Sequence, residues 1–272
     1  MAPHSIRIWG LEGIPEIHPG DDLCRIICTA LESSRSSAHD PGSKLNEPRS
    51  TPDHRTELVP PRTVFVVAQK IISKAEGRIV ELESVQPSAQ AKDWAARYHK
   101  EARMVEVVLR EARRIVRMDR GILIAETHHG FICANAGVDA SNAPKGTVVL
   151  LPKDPDRSAM RLRLDLEKAL AVPIGVIVSD TFGRPWRQGL TNIALGVAGL
   201  SPFIDYRGQL DYFGRTLHAT VLAVADELSA AAELVMGKTL GIPVALVEGF
   251  QYTAAEGRGC DLIRPADEDL FR

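Results

Sequence analysis

Polar and apolar positions along the chain follow two periods. Short apolar runs rich in β-branched residues predict strands at 6–9, 64–68, 174–178, 193–199, 216–224 and 243–248, with a further short one at 148–151. Ile122-Leu123-Ile124-Ala125 and Gly130-Phe131-Ile132-Cys133-Ala134 flank Thr127-His128-His129 and predict a hairpin. Helical spacing governs the rest. Asp21 or Asp22 caps a helix that carries Leu23, Ile26, Ile27, Ala30 and Leu31 on one face. Residues 88–113 predict a helical region with a charged face, 156–171 a charged helix, and 226–236 an Ala-rich helix. Strands and helices mix without a regular β-α-β period, and no internal repeat is present. The expected class is therefore α+β, with mixed or antiparallel sheets and flanking helices, rather than doubly wound α/β.

Between residues 33 and 62 the apolar periodicity disappears and Ser, Pro, Asp, His and Arg dominate. So long a structureless stretch inside a domain predicts a mobile insertion, with a lid as the alternative.

Composition narrows the function classes. The chain has 272 residues, enough for one large domain or two intertwined ones. Its net charge of −2 and its 5% aromatic content give neither a basic field for nucleic acid nor base-stacking platforms. No apolar run reaches the ~20 residues of a membrane span, and the N-terminus has no signal-peptide pattern. Cys24, Cys28, Cys133 and Cys260 form no C-x-x-C pair. Cys24 and Cys28 share a helix face but lack further ligands nearby, so a reduced, cytoplasmic protein is expected.

The densest chemistry follows the strand at 174–178, in Ser179-Asp180-Thr181-Phe182-Gly183-Arg184-Pro185-Trp186-Arg187. The strand is expected to stop there. An acid beside a hydroxyl can hold a hard cation through oxygen, and arginines can grip phosphate or carboxylate oxygens. A polar turn with solvated arginines is the alternative. Asn135-Ala136-Gly137-Val138-Asp139-Ala140-Ser141-Asn142 also follows a strand, and is either an ordinary turn or a second source of inward oxygens. If Asp139 and Asp180 converge, they make a minimal site for one or two divalent ions. In Gln69-Lys70-Ile71-Ile72-Ser73-Lys74 the lysines are either point charges for phosphate or a solvated basic edge. Gly237-Lys238-Thr239 ends like a P-loop, but Ala232 stands where its first Gly belongs, and a helix C-terminus is expected there. Neighbouring strand residues face opposite ways, so His128 and His129 are expected as hairpin residues rather than ligands of one ion.

Five blocks in order carry a resemblance to a known family. They are Gly13-Ile14-Pro15 with Gly20-Asp21-Asp22-Leu23, then 72–78, then 135–142, then 179–184, then Ala225-Asp226-Glu227. Together they resemble the coenzyme F420-0:L-glutamate ligases over nearly the whole chain. The resemblance implies a single ligase domain over 1–272, built as two intertwined subdomains of α+β fold, in a homodimer. It implies GTP-dependent addition of L-glutamate, through γ-linkages, to the phospholactyl end of coenzyme F420-0. A pair of magnesium or manganese ions and a potassium ion are the implied cofactors. Asp139 and Asp180 are then ligands of one metal and Thr181 of the second. Ile14, Pro15, Glu16 and Ile17, with Gln69, Lys74, Asn142, Met236, Gly237 and Lys238, are implied nucleotide contacts.

The chain also departs from the pattern. Lys238 stands where some members have a Glu that ligates the second metal, and the loop after it is one residue shorter. Gln69-Lys70 replace two hydroxyl residues, the 33–62 stretch is longer and more polar, and the fused nitroreductase-like domain of some bacterial members is absent. A carboxylate and an amine form a salt rather than an amide, so the acceptor carboxyl needs activation, expected as an acyl phosphate made from GTP. Arg184, and after it Arg187, is the expected stabiliser of the transferring phosphoryl charge. A metal-dependent nucleotide hydrolase and a non-catalytic binder of a phosphorylated cofactor are the alternatives.

Overall fold

A computed structural model describes residues 5–37 and 58–269. The strands are β1 (Arg7–Gly10), β2 (Val64–Ala68), β3 (Ile79–Glu81), β4 (Ala112–Asp119), β5 (Ile122–Thr127), β6 (Ile132–Ala134), β7 (Thr147–Val149), β8 (Gly175–Arg184), β9 (Arg187–Ala198), β10 (Ile204–Asp205), β11 (Val221–Leu222) and β12 (Val244–Glu248). The α-helices are α1 (Leu23–Ser37), α2 (Gln69–Ala75), α3 (Ala89–Tyr98), α4 (Ala102–Glu111), α5 (Pro155–Leu170) and α6 (Val224–Met236). The class is α+β.

The main sheet has the order β1-β12-β2-β8-β9. Only β2 and β8 run parallel; the other pairs are antiparallel. Its central strands are apolar on both faces because helices cover both. Phe65 and Val67 of β2 join α1 and α5 in one core, and Val64 and Val66 join α6 in another. A separate core gathers α4, β5 and the 136–150 segment around Val107, Leu123, Val138 and Val148.

Two outward N–H groups near the carboxyl end of edge strand β9 are satisfied by side chains. Asp156 in the first turn of α5 accepts from Val197 N at 2.9 Å, and Asp226 in the first turn of α6 accepts from Ala194 N at 2.9 Å. That part of the edge, which would otherwise invite strand pairing, is thereby closed. Gly196 lies where α5 presses hardest, and a Cβ there would run into the Pro155 carbonyl.

Several expectations need correction. The 88–113 region is two helices, broken at His99, which adopts a left-handed conformation at φ 51. Its end belongs to β4, which continues through Ile115 and Val116 to Asp119. β9 begins at Arg187 rather than 193, and the 216–224 strand shrinks to β11. The strand expected to stop before Asp180 continues to Arg184 because β9 keeps pairing with it. In the expected insertion, residues 33–37 continue α1 and 58–62 are described; 38–57 lie outside the described residues. Asp22 is the cap of α1, accepting from Arg25 N at 3.0 Å.

Candidate active site

The carboxyl end of β2 lies beside the middle of the parallel strand β8, with Ala68 opposite Ser179. Beyond them opens a cavity of about 660 Å³. Strand ends of this kind favour ligand sites because the loops that follow diverge and leave a crevice. Its walls include the first loop at 14–17, the start of α2, the 135–142 loop, the middle of β8, and the end of α6 with the loop after it. Asp139 and Asp180 both line it.

A β-bulge sits immediately before Asp180. Val178 pairs with Gly196 but Ser179 with Ala194, so β9 contributes one extra residue there. Such a bulge re-aims side chains on the strand that carries it, here β9, where Asn192 lies opposite Thr181. Asp139 is placed differently. Asn135, Ala136 and Gly137 are consecutive left-handed residues, at φ 53, 51 and 73, and they swing the chain out of β6. The Asp139 backbone then exchanges two hydrogen bonds with Val149, at 3.0 and 2.8 Å.

The two carboxylates meet different surroundings. Asp139 Oδ1 accepts from Ser141 N at 2.7 Å, and Oδ2 accepts from Ser141 Oγ at 2.8 Å and from Lys70 Nζ at 2.7 Å. Burial opposes its ionisation, but the Lys70 ammonium and the Ser141 donors outweigh burial and hold its carboxyl below the ordinary range. Asp180 has fewer donors. Burial, with the Asp139 charge a smaller contributor, pushes its carboxyl up to about 6, against the pull of the Thr181 N–H, Lys238 and Lys70.

Lys74 is 5% exposed, and its Nζ donates to Glu16 Oε1 at 2.6 Å, tying α2 to the first loop. Gln69 is buried and accepts from Ser73 Oγ at 2.8 Å, while its Nε2, like Ser179 Oγ, has no partner among the described residues. The basic segment after β2 is therefore part of the cavity wall rather than a solvated edge. At the far side Lys238 Nζ donates to Thr181 Oγ1, and Thr181 donates to Asn192 Oδ1 at 2.6 Å. Asn192 Nδ2 donates in turn to Glu233 Oε2 at 3.0 Å.

The cavity gathers the expected residues Ile14, Pro15, Glu16, Ile17, Gln69, Lys74, Asp139, Asn142, Asp180, Thr181, Met236, Gly237 and Lys238. Ile17 and Met236 are nearly fully buried and anchor their loops in the core. Arg184 and Arg187 are not brought in. They pair with each other at the exposed tip of the β8–β9 hairpin, which carries them past the cavity. Arg78 turns to the Leu151 carbonyl and Glu111. His128 and His129 bond backbone carbonyls.

Lys70 and Ser141 fall within the two candidate blocks at 69–74 and 135–142, whereas Asn192 and Glu233 were not anticipated as wall residues. Asn192 carried a signal, a polar residue just before the apolar run of its strand.

The donor set suits a hard cation. Two carboxylates and neighbouring hydroxyls offer oxygen only, the chemistry of magnesium or manganese. No group of three or more His, Cys, Asp or Glu among the described residues could hold an ion alone. Two carboxylates completed by phosphate oxygens is the usual arrangement for magnesium.

A profile of the family F420-0:Gamma-glutamyl ligase matches residues 13–249. The chain is 40% identical over 271 residues to the coenzyme F420:L-glutamate ligase of Methanothermobacter thermautotrophicus, covering 98% of this chain and 99% of that one. It is 44% identical over 210 residues to the protein of the same name from Methanocaldococcus jannaschii, covering 77% and 84%. The Methanopyrus kandleri protein of that name is 38% identical over 96% of this chain and 97% of its own.

Proposed function

This chain belongs to the F420-0:gamma-glutamyl ligase family, and from that premise we propose that it joins L-glutamate to coenzyme F420-0 by γ-linkage, with GTP as the activating co-substrate. The observation that carries the reading is the convergence of Asp139 and Asp180, far apart in sequence, on one cavity of nucleotide size. The acceptor carboxylate attacks the γ-phosphorus of GTP, the bond to the bridging oxygen breaks, and GDP leaves. The glutamate amine attacks the resulting acyl phosphate, expels inorganic phosphate and loses its proton to give the amide.

Asp139 and Asp180 are the residues that would hold magnesium or manganese. Such ions, when bound, neutralise phosphate oxygens and orient the triphosphate. Lys70, Lys74 and Lys238 line the same cavity. They take over the charge-stabilising role expected of Arg184, which sits at the hairpin tip outside the cavity lining. The first loop, held by the Glu16–Lys74 pair, and Asn142 complete the nucleotide wall. None of the four cysteines forms a disulfide, which suits work in a reducing compartment. No helix among the described residues is long and apolar enough to cross a membrane. A homodimer is part of the proposal, supported by apolar tips described below.

The test is Asp180→Asn at ordinary magnesium, with GTP consumption and product mass followed together. Wild type should add the mass of glutamyl units only when F420-0, glutamate and GTP are all present. The variant should lose roughly 10²–10³-fold in kcat, the size of a lost electrostatic contact in a water-poor site. Unchanged turnover in the variant rejects the metal assignment, and phosphate release without gain in mass makes the protein a hydrolase.

A further inference from the structure

We propose that Lys238 is a built-in cation of the site, so that each chain takes up one divalent ion with its triphosphate rather than two. The inference rests on the nucleotide–metal reading of the cavity and concerns how its charge is divided.

Four side chains close a ring at the Thr181 end. Lys238 donates to Thr181 Oγ1, Thr181 to Asn192 Oδ1, Asn192 to Glu233 Oε2, and Glu233 Oε1 lies 3.7 Å from Lys238 Nζ. Every donor in it meets an acceptor, with no conflict of direction. The single hydroxyl hydrogen of Thr181 is committed to Asn192, so the oxygen faces Lys238 as an acceptor, and the ammonium takes one of its two lone pairs. An ammonium has donors only and ligates nothing while charged. A metal ion on Thr181 would have to share that oxygen with the ammonium, placing two positive charges on one neutral hydroxyl, or else displace it.

Charge counting points the same way. The ring holds one carboxylate, Glu233, and one ammonium, Lys238, and is neutral. The end with Asp139 and Asp180 has the hard oxygens a divalent ion needs. Lys238 reaches into the same cavity and is placed to meet phosphate oxygens as a point charge. Thr181 on this account positions Lys238 and is not a metal ligand, contrary to what the family resemblance implies.

Manganese uptake by the metal-free full chain decides the matter. Equilibrium dialysis with a non-hydrolysable GTP analogue should give one manganese ion per chain, with the electron paramagnetic resonance spectrum of an isolated ion. Lys238→Glu, at an exposed position where an unchanged circular dichroism spectrum checks folding, replaces the ammonium with a carboxylate and should raise the count to two, with a spin-coupled spectrum. Two coupled ions in the wild type overturn the inference and leave the ligase reading intact. No bound ion overturns both. A Lys238→Glu protein that still binds one ion shows that Lys238 is not what excludes the second, and overturns the inference alone.

Discussion

Asp139 and Asp180 carry the same carboxyl, yet their surroundings drive them in opposite directions. Asp139 has the Lys70 ammonium and two donors from Ser141, and Asp180 has mainly burial. The consequence for stability follows from proton linkage. The Asp180 carboxyl titrates near 6 in the native state and near 3.8 when unfolded. The native state therefore binds its proton more tightly. The stabilisation is fully present below about pH 4 and is lost as pH rises through about 6. In chelator, the wild type should lose on the order of 2–3 kcal/mol between pH 4 and pH 7 from this group. Asp180→Asn should not show that loss and should be the more stable protein at pH 7.5, while losing activity. Urea unfolding at both pH values measures the difference, and parallel pH curves for the two proteins would discard the assignment. A site residue that destabilises its own fold is the usual cost of holding charge ready for a ligand.

At the scale of elements, two irregularities aim the site. The bulge opposite Ser179 shifts the β9 side chains that face Asp180 and Thr181, Asn192 among them, and the left-handed run at 135–137 sets the direction of Asp139. Gly137 combines φ 73 with a close approach, since a Cβ there would stand 2.6 Å from Leu151 Cγ. Gly137→Ala should therefore cost about 2–4 kcal/mol, strain and overpacking together. Its urea midpoint should fall accordingly, and manganese uptake should weaken because Asp139 sits two residues on. A variant as stable as wild type would show that the loop relaxes freely. The strand β2 and helix α6 were legible because their apolar periods are uninterrupted. The bulge was not, because an extra residue in a strand leaves no mark on composition. β4 was missed because its arginines alternate as well on a helix face as along an exposed strand.

For the whole molecule, the topology brings together blocks that the chain keeps apart. One parallel pair, β2 and β8, inside an otherwise antiparallel sheet creates the crevice. The same sheet also extends the tip of the β8–β9 hairpin beyond the cavity, where Trp186 is 79% exposed, while Leu190, 68% exposed, stands at the cavity rim. A second loop presents Tyr212 at 96% and Phe213 at 83%. Large apolar side chains held out in this way mark contact surfaces. Sedimentation equilibrium should give about twice the 29.7 kDa chain mass. Trp186→Ser with Leu190→Ser should shift the protein toward monomer while leaving its circular dichroism unchanged. A wild type that sediments as a single chain rejects the dimer.

The amino-acid order by itself determined the α+β class, most strands and helices, and the blocks that mark the family, because each depends on local periodicity or on short contiguous motifs. It also named both aspartates. Only the tertiary structure decided that they share a cavity, that Lys70 and Lys238 supply its positive charge, and that Arg184 points elsewhere. Those outcomes depend on strand register, a bulge and the length of a hairpin. Such features arise from pairing between distant segments, which no local pattern encodes.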